Sequence, residues 1–156
     1  MKKSLILLAL TAASVLTLTG CGILSKSKCD IPTFDAAATN AGLQAVTVDE
    51  STLSSFVEDC AVYCDSGMTY QVELYDLTST TAAENYCNDL ISYVENDVSK
   101  NFSARVSMSS INYTSNSYGS GDSFYYIVRV DDTVFFAFTD SAGKDTITAF
   151  AETIGY

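Results

Sequence analysis

Two apolar runs, Phe124 to Val130 and Thr133 to Thr139, are separated only by Asp131-Asp132. A two-residue connection between such runs predicts a β-hairpin in which Val130 pairs with Thr133. In that register Phe124, Tyr126, Val128, Phe135 and Ala137 share one face, and Tyr125, Ile127, Val134, Phe136 and Phe138 share the other. Both faces are apolar, so the hairpin cannot form the solvent side of a single-layered sheet. Either helices cover both sides, or one side stays partly open as an apolar, tyrosine-rich surface for a partner.

The remaining elements are legible from their periods. Pro32 can open a helix, and Phe34, Ala37, Ala38 and Ala41 follow at helical spacing until Gly42 offers a stop. Val46 to Phe56 reads as a polar connection with a brief extended or helical piece. From Glu58 the period becomes two. Cys60, Val62 and Cys64 alternate before Asp65-Ser66-Gly67, and Tyr70, Val72 and Leu74 alternate after it, a second hairpin. Thr81 and Glu84 form a capping box. Ala83, Cys87, Leu90, Ile91, Val94 and Val98 then recur at helical spacing, which predicts a helix over 82–99. Ala104, Val106 and Met108 alternate in one phase and Ile111 and Tyr113 in the other, predicting a strand bent by a bulge near Ser109-Ser110. Thr114 to Ser123 reads as a loop, because its Gly119-Ser120-Gly121 lacks the third glycine and the lysine of a phosphate loop. A last helix spans about Lys144 to Ile154. The expected fold is α+β, order αββαβββα, with a mainly antiparallel sheet of about five strands packed by three helices.

The start of the chain has the layout of an export signal: Lys2 and Lys3, then an apolar run from Leu5 to Leu18 that is short for a membrane span and contains Thr11, Ser14 and Thr17. It ends in Leu18-Thr19-Gly20-Cys21, which resembles a lipobox. The resemblance implies cleavage between Gly20 and Cys21, acyl chains on Cys21, and a domain tethered to the extracytoplasmic face of the cell membrane. The expected organisation is a signal peptide at 1–20, a lipidated tether at 21–28 and one domain at 29–156.

Removal of the first twenty residues leaves six basic against nineteen acidic residues, a net charge of −13 with no histidine. Such a body repels nucleic acid and anionic headgroups. In an oxidising compartment Cys29, Cys60, Cys64 and Cys87 suit two disulfides, with three pairings open; free buried thiols are the alternative where the surroundings never oxidise the protein. Cys60 and Cys64 would lie about 13 Å apart in one strand, too far to pair with each other. Cys87 on the inner stripe of its helix could meet a cysteine of the hairpin. A four-thiolate zinc site fits the spacing poorly, so neither metal nor cofactor is expected.

Residues 124–156 show the Arg129-Val130 pair, a tight turn, Thr133 before an aromatic strand, and Gly155-Tyr156 after an amphipathic helix. With the early Phe-Ala stripe and the strand Tyr70 to Tyr75, this resembles a group of small Gram-positive lipoproteins. The resemblance implies the order of elements and lends no catalytic residue.

Nucleophilic catalysis needs a base beside the nucleophile, and the absence of histidine removes the usual one. Asp122, Asp131, Asp132 and Asp140 sit near strand ends, where turns select aspartate for local hydrogen bonding; paired carboxylates around a cation are the enzymatic alternative. Tyr63, Tyr75, Tyr113, Tyr118 and Tyr125 are candidates for a binding platform. The reading that follows is a non-catalytic, membrane-anchored module with an envelope protein or glycan as ligand. The alternatives are a carboxylate enzyme and a redox-sensing lipoprotein.

Overall fold

The computed structural model describes residues 25–98 and 104–156. The expected signal segment, with Gly20 and Cys21, lies outside the described residues. The fold is α+β, with three α-helices on a seven-stranded antiparallel sheet. The helices are α1 (Ile31–Asn40), α2 (Thr80–Tyr93) and α3 (Lys144–Thr153). The strands are β1 (Gln44–Ala45), β2 (Val57–Cys64), β3 (Tyr70–Leu77), β4 (Ala104–Ser109), β5 (Tyr113–Ser120), β6 (Ser123–Val130) and β7 (Thr133–Asp140). Their order across the sheet is β1-β2-β3-β7-β6-β5-β4.

The central hairpin has the expected register, with Val130 opposite Thr133, and its two faces are those predicted. Asp131 takes the left-handed conformation of the turn, at φ 50°. Helices cover both sides. Phe34 of α1 and Phe150 of α3 pack on Phe135, with centroids of 6.4 and 6.1 Å to it. On the other face α2 buries Ala83 and Cys87 against Ile127, Val134 and Phe136.

Local signals set the helix ends. Asp30 accepts from the Thr33 amide at 2.8 Å and Pro32 sits in the first turn of α1, while Gly42 leaves that helix at φ 78°. α2 starts earlier than its expected capping box. Its cap is Ser79, whose hydroxyl accepts from the Ala82 amide at 3.1 Å, and the helix continues as a π-helical turn over Val94–Val98.

Three expectations about the sheet are corrected. Seven strands replace about five. The supposed bulge at Ser109-Ser110 is a reversal: β4 and β5 pair antiparallel, and the Ser110 amide closes the turn on the Tyr113 carbonyl at 2.8 Å. The change of phase from Val106 and Met108 to Ile111 and Tyr113 therefore marks two strands instead of one bent strand. The supposed loop from Thr114 onward is mostly β5, which is polar but held by ladders on both sides. A strand flanked in this way satisfies its backbone whatever its side chains are.

The expected tether is laid against the body from Lys26 onward. Asn112 bonds the Lys26 main chain twice, from its amide nitrogen to the carbonyl at 2.7 Å and from the Lys26 amide at 3.2 Å. Lys28 pairs with Asp132 at 2.8 Å, and the Cys29 amide donates to the Tyr156 hydroxyl at 3.0 Å.

Candidate functional site on the α2 face of the sheet

The inward-facing residues of the α2 face form rows across the ladders. One row reads Cys64, Gln71, Phe138, Tyr125, Tyr118 and Arg105; the next contains Val62, Glu73, Phe136, Ile127 and Asn116. α2 begins just beyond Leu77 at the end of β3. The chain beyond it reaches Tyr118 on β5, where Glu95 accepts from the tyrosine hydroxyl at 3.1 Å. The helix therefore crosses the sheet diagonally. It leaves a corner at Gln71, Phe138 and Tyr125 only half-buried, with the last two rings stacked 6.4 Å apart at 29°.

Glu73 lies under this corner at 9% exposure. Its carboxylate accepts from the Gln71 amide and from the Tyr75 hydroxyl. Burial pushes the Glu73 carboxyl above the usual range, and the two hydrogen bonds oppose that shift only in part. Tyr75 packs against Tyr86 of α2 at 4.9 Å, and burial together with the Glu73 charge raises its phenol as well. The network can seat a ligand with a flat apolar face against the stacked rings, with a hydrogen bond at the Gln71 edge.

On the far side of α2 lies a small cleft of about 210 Å³ lined by Glu84, Cys87, Asn88, Thr114 and Arg129. The Arg129 guanidinium is buried there, 3.7 Å from Glu84 and 3.2 Å from the Asp131 carbonyl. A larger, acid-rimmed cleft of about 710 Å³ opens between α1 and β2, with Asp35, Glu50, Glu58 and Asp59 in its lining.

The five candidate tyrosines are not brought together. Tyr63 and Tyr113 belong to the α1 and α3 side, while Tyr75, Tyr118 and Tyr125 belong to the α2 side. Tyr75 and Tyr118 are buried, so only Tyr125 of the five reaches the open corner. Its companions Gln71, Glu73 and Phe138 were missed. The only signal for them was a polar strand phase, Gln71-Glu73-Tyr75, beside a hairpin apolar on both faces.

Cys29, Cys60, Cys64 and Cys87 are free thiols in the structure. The sheet explains why Cys29 lacks a mate. It sits with Tyr156 on the α1 and α3 side, whereas Cys60 and Cys87 pack on the α2 side and Cys64 shares the Cys60 face of β2. Burial pushes the Cys29 and Cys87 thiols up to about 11 and raises Cys60 also, which suppresses the reactive thiolate that a redox sensor uses.

The strand-end aspartates have separate local partners where the structure gives them one. Asp140 caps the 3₁₀ turn after β7, accepting from the Gly143 amide at 2.9 Å, and Asp132 holds Lys28. Asp122 and Asp140 lie at one end of the central hairpin and Asp131 and Asp132 at the other, about 24 Å away along strands of eight residues. They form no common pocket. Among the described residues no group of three or more histidine, cysteine or acidic side chains is placed to hold a metal ion.

No protein-family model matches the chain, and no curated protein matches it. Among solved structures, that of a GTP binding regulator from Thermotoga maritima superposes with a TM-score of 0.48 at 17% identity, over 81% of this chain and 84% of that one. A likeness this distant lends no function to the site.

Proposed function

We propose that this chain is an extracytoplasmic lipoprotein, anchored to the cell membrane by acyl chains on Cys21, whose folded body is a non-catalytic module binding a protein or glycan of the envelope. The anchor is supported by the basic start, the short apolar run and Leu18-Thr19-Gly20-Cys21. The binding face is the open corner of the α2 side. The observation that carries it is the stacked, half-buried pair Tyr125 and Phe138 beside half-buried Gln71, which donates to a buried Glu73 and Tyr75 pair. An interior polar network capped by open rings is costly to keep for packing alone.

Two measurements on intact cells test the two halves of this reading. Cys21→Ala should release the protein into the medium or leave its leader uncut; full lipid labelling and unchanged membrane partitioning of that variant would refute the anchor. A photoreactive phenylalanine at position 138 should give a discrete adduct that the same group at exposed Tyr93 does not, and Tyr125→Ser should abolish it. Equal labelling from both positions would remove the corner as the binding face.

A further inference from the structure

We infer that the β4–β5 hairpin, through Val106, Met108 and Ile111, is the surface on which the domain rests against the lipid bilayer, an inference that depends on the anchor at Cys21 proposed above. Three independent observations converge on this hairpin.

The first is unpartnered apolar surface. Val106, Met108 and Ile111 are 58%, 52% and 74% exposed. Val106 and Met108 point to the α1 and α3 side, but α1 packs on β2 and β3 and α3 on β6 and β7. β4 is the outermost strand, so nothing among the described residues covers this strip.

The second is where the chain leaves. Both main-chain bonds of Lys26 are made to Asn112, next to Ile111 in the β4–β5 turn, and the Lys26 ammonium lies 5.4 Å from the Tyr113 ring centroid. Cys21 stands five positions before Lys26, a reach of at most about 18 Å. Acyl chains on Cys21 thus hold the bilayer surface within that distance of the hairpin turn.

The third is charge. The protein has nineteen acidic residues, yet none lies between Val98 and Gly121, and none precedes Asp30. These two stretches meet at the Lys26–Asn112 contact, where the Asp131 carboxylate also accepts from the Asn112 side-chain amide at 3.3 Å. Anionic headgroups repel acidic side chains within about 8 Å at physiological salt, and the strip from Val106 to Ile111 supplies none of its own. Lys26 at one end of the strip and Lys144 beside Val106 at the other are the cations that flank it. The other large exposed apolar residues have acidic residues in their own segments: Phe56 precedes Glu58 and Asp59, Met68 is in the turn after Asp65, and Tyr93 precedes Glu95. Acyl chains supply the affinity; the strip fixes the orientation.

The chain contains no tryptophan, so one introduced tryptophan is a unique reporter. The full-length chain is expressed in a bacterial host and the mass of its amino-terminal peptide is measured. It is then reconstituted into phosphatidylcholine and phosphatidylglycerol vesicles with brominated acyl chains. Ile111→Trp and, independently, Met108→Trp should emit at shorter wavelength and lose most of their emission to the bromines, while Phe56→Trp keeps both its wavelength and its intensity. An acylated, vesicle-bound protein in which positions 108 and 111 are quenched no more than position 56 would overturn the inference and leave the anchor standing. A blue shift without bromine quenching would mean that β4 is buried against a second copy or another protein, and would overturn it as well. An unacylated Cys21 with no vesicle binding would remove the anchor and the inference together.

Discussion

On the side covered by α1 and α3, the sheet meets a mainly apolar assembly in which Phe135 and Phe150 stack, Phe34 meets both edge-on and Tyr156 meets Phe135 edge-on. On the α2 side the same central strands present Glu73, Tyr75, Asn116 and Arg129, four groups that demand hydrogen bonds, under a single diagonal helix. Each face also leaves one buried polar atom without a partner among the described residues, the Tyr70 hydroxyl on the first and the Asn116 amide nitrogen on the second. The first face is built for cohesion. The second gives up some cohesion for polar groups placed under a half-buried edge.

Truncating the centre of the first face tests that contrast most severely. Phe135→Ala should cost about 3–5 kcal/mol in denaturant unfolding, because a ring packed on all sides leaves a cavity. Tyr156→Phe should cost about 1–3 kcal/mol, since the lost hydroxyl bonds Thr133 and accepts from the buried Cys29 amide. Phe138→Ala, on the α2 side, should cost roughly half of the Phe135→Ala value or less, as its ring is only half-buried. Equal losses at 135 and 138 would erase the distinction between the faces.

The final test concerns a sign. A carboxyl whose folded pKa is raised binds more protons folded than unfolded, so its contribution to stability is complete below the unfolded value of about 4.3 and is lost as pH climbs through the folded one. Glu73→Gln should therefore gain stability relative to the parent between acid and neutral pH, with the advantage vanishing at the acid end. A parent-to-variant difference independent of pH would show that Glu73 is not held under a desolvating cover.

The strong periods were legible. The doubly apolar hairpin, its register and its two faces follow from alternation around Asp131-Asp132, because each side chain there meets a buried layer that rewards the pattern. β5 escaped because Thr114, Ser115, Asn116 and Ser117 contribute no apolar alternation; two neighbouring ladders hold that strand, and pairing of that kind leaves little trace in side-chain chemistry. The site was hidden for a related reason. Gln71 and Glu73 read as a solvent phase, and only the path of α2 makes that phase interior. Compartment and parity say nothing about which side of a sheet each cysteine occupies, so the placement of the thiols was not legible either.

The β3–β7 ladder has a consequence for how the sheet is put together. Every other pairing joins neighbours in sequence, so β1 to β3 and β4 to β7 are two meanders that form from local segments, and this one seam closes the distance between them. Closure must bring together residues some sixty positions apart, Tyr70 to Thr139 and Asp76 to Thr133, and so sets the pace of folding. Until it closes, each half carries a naked central strand, the most adhesive state through which this molecule passes.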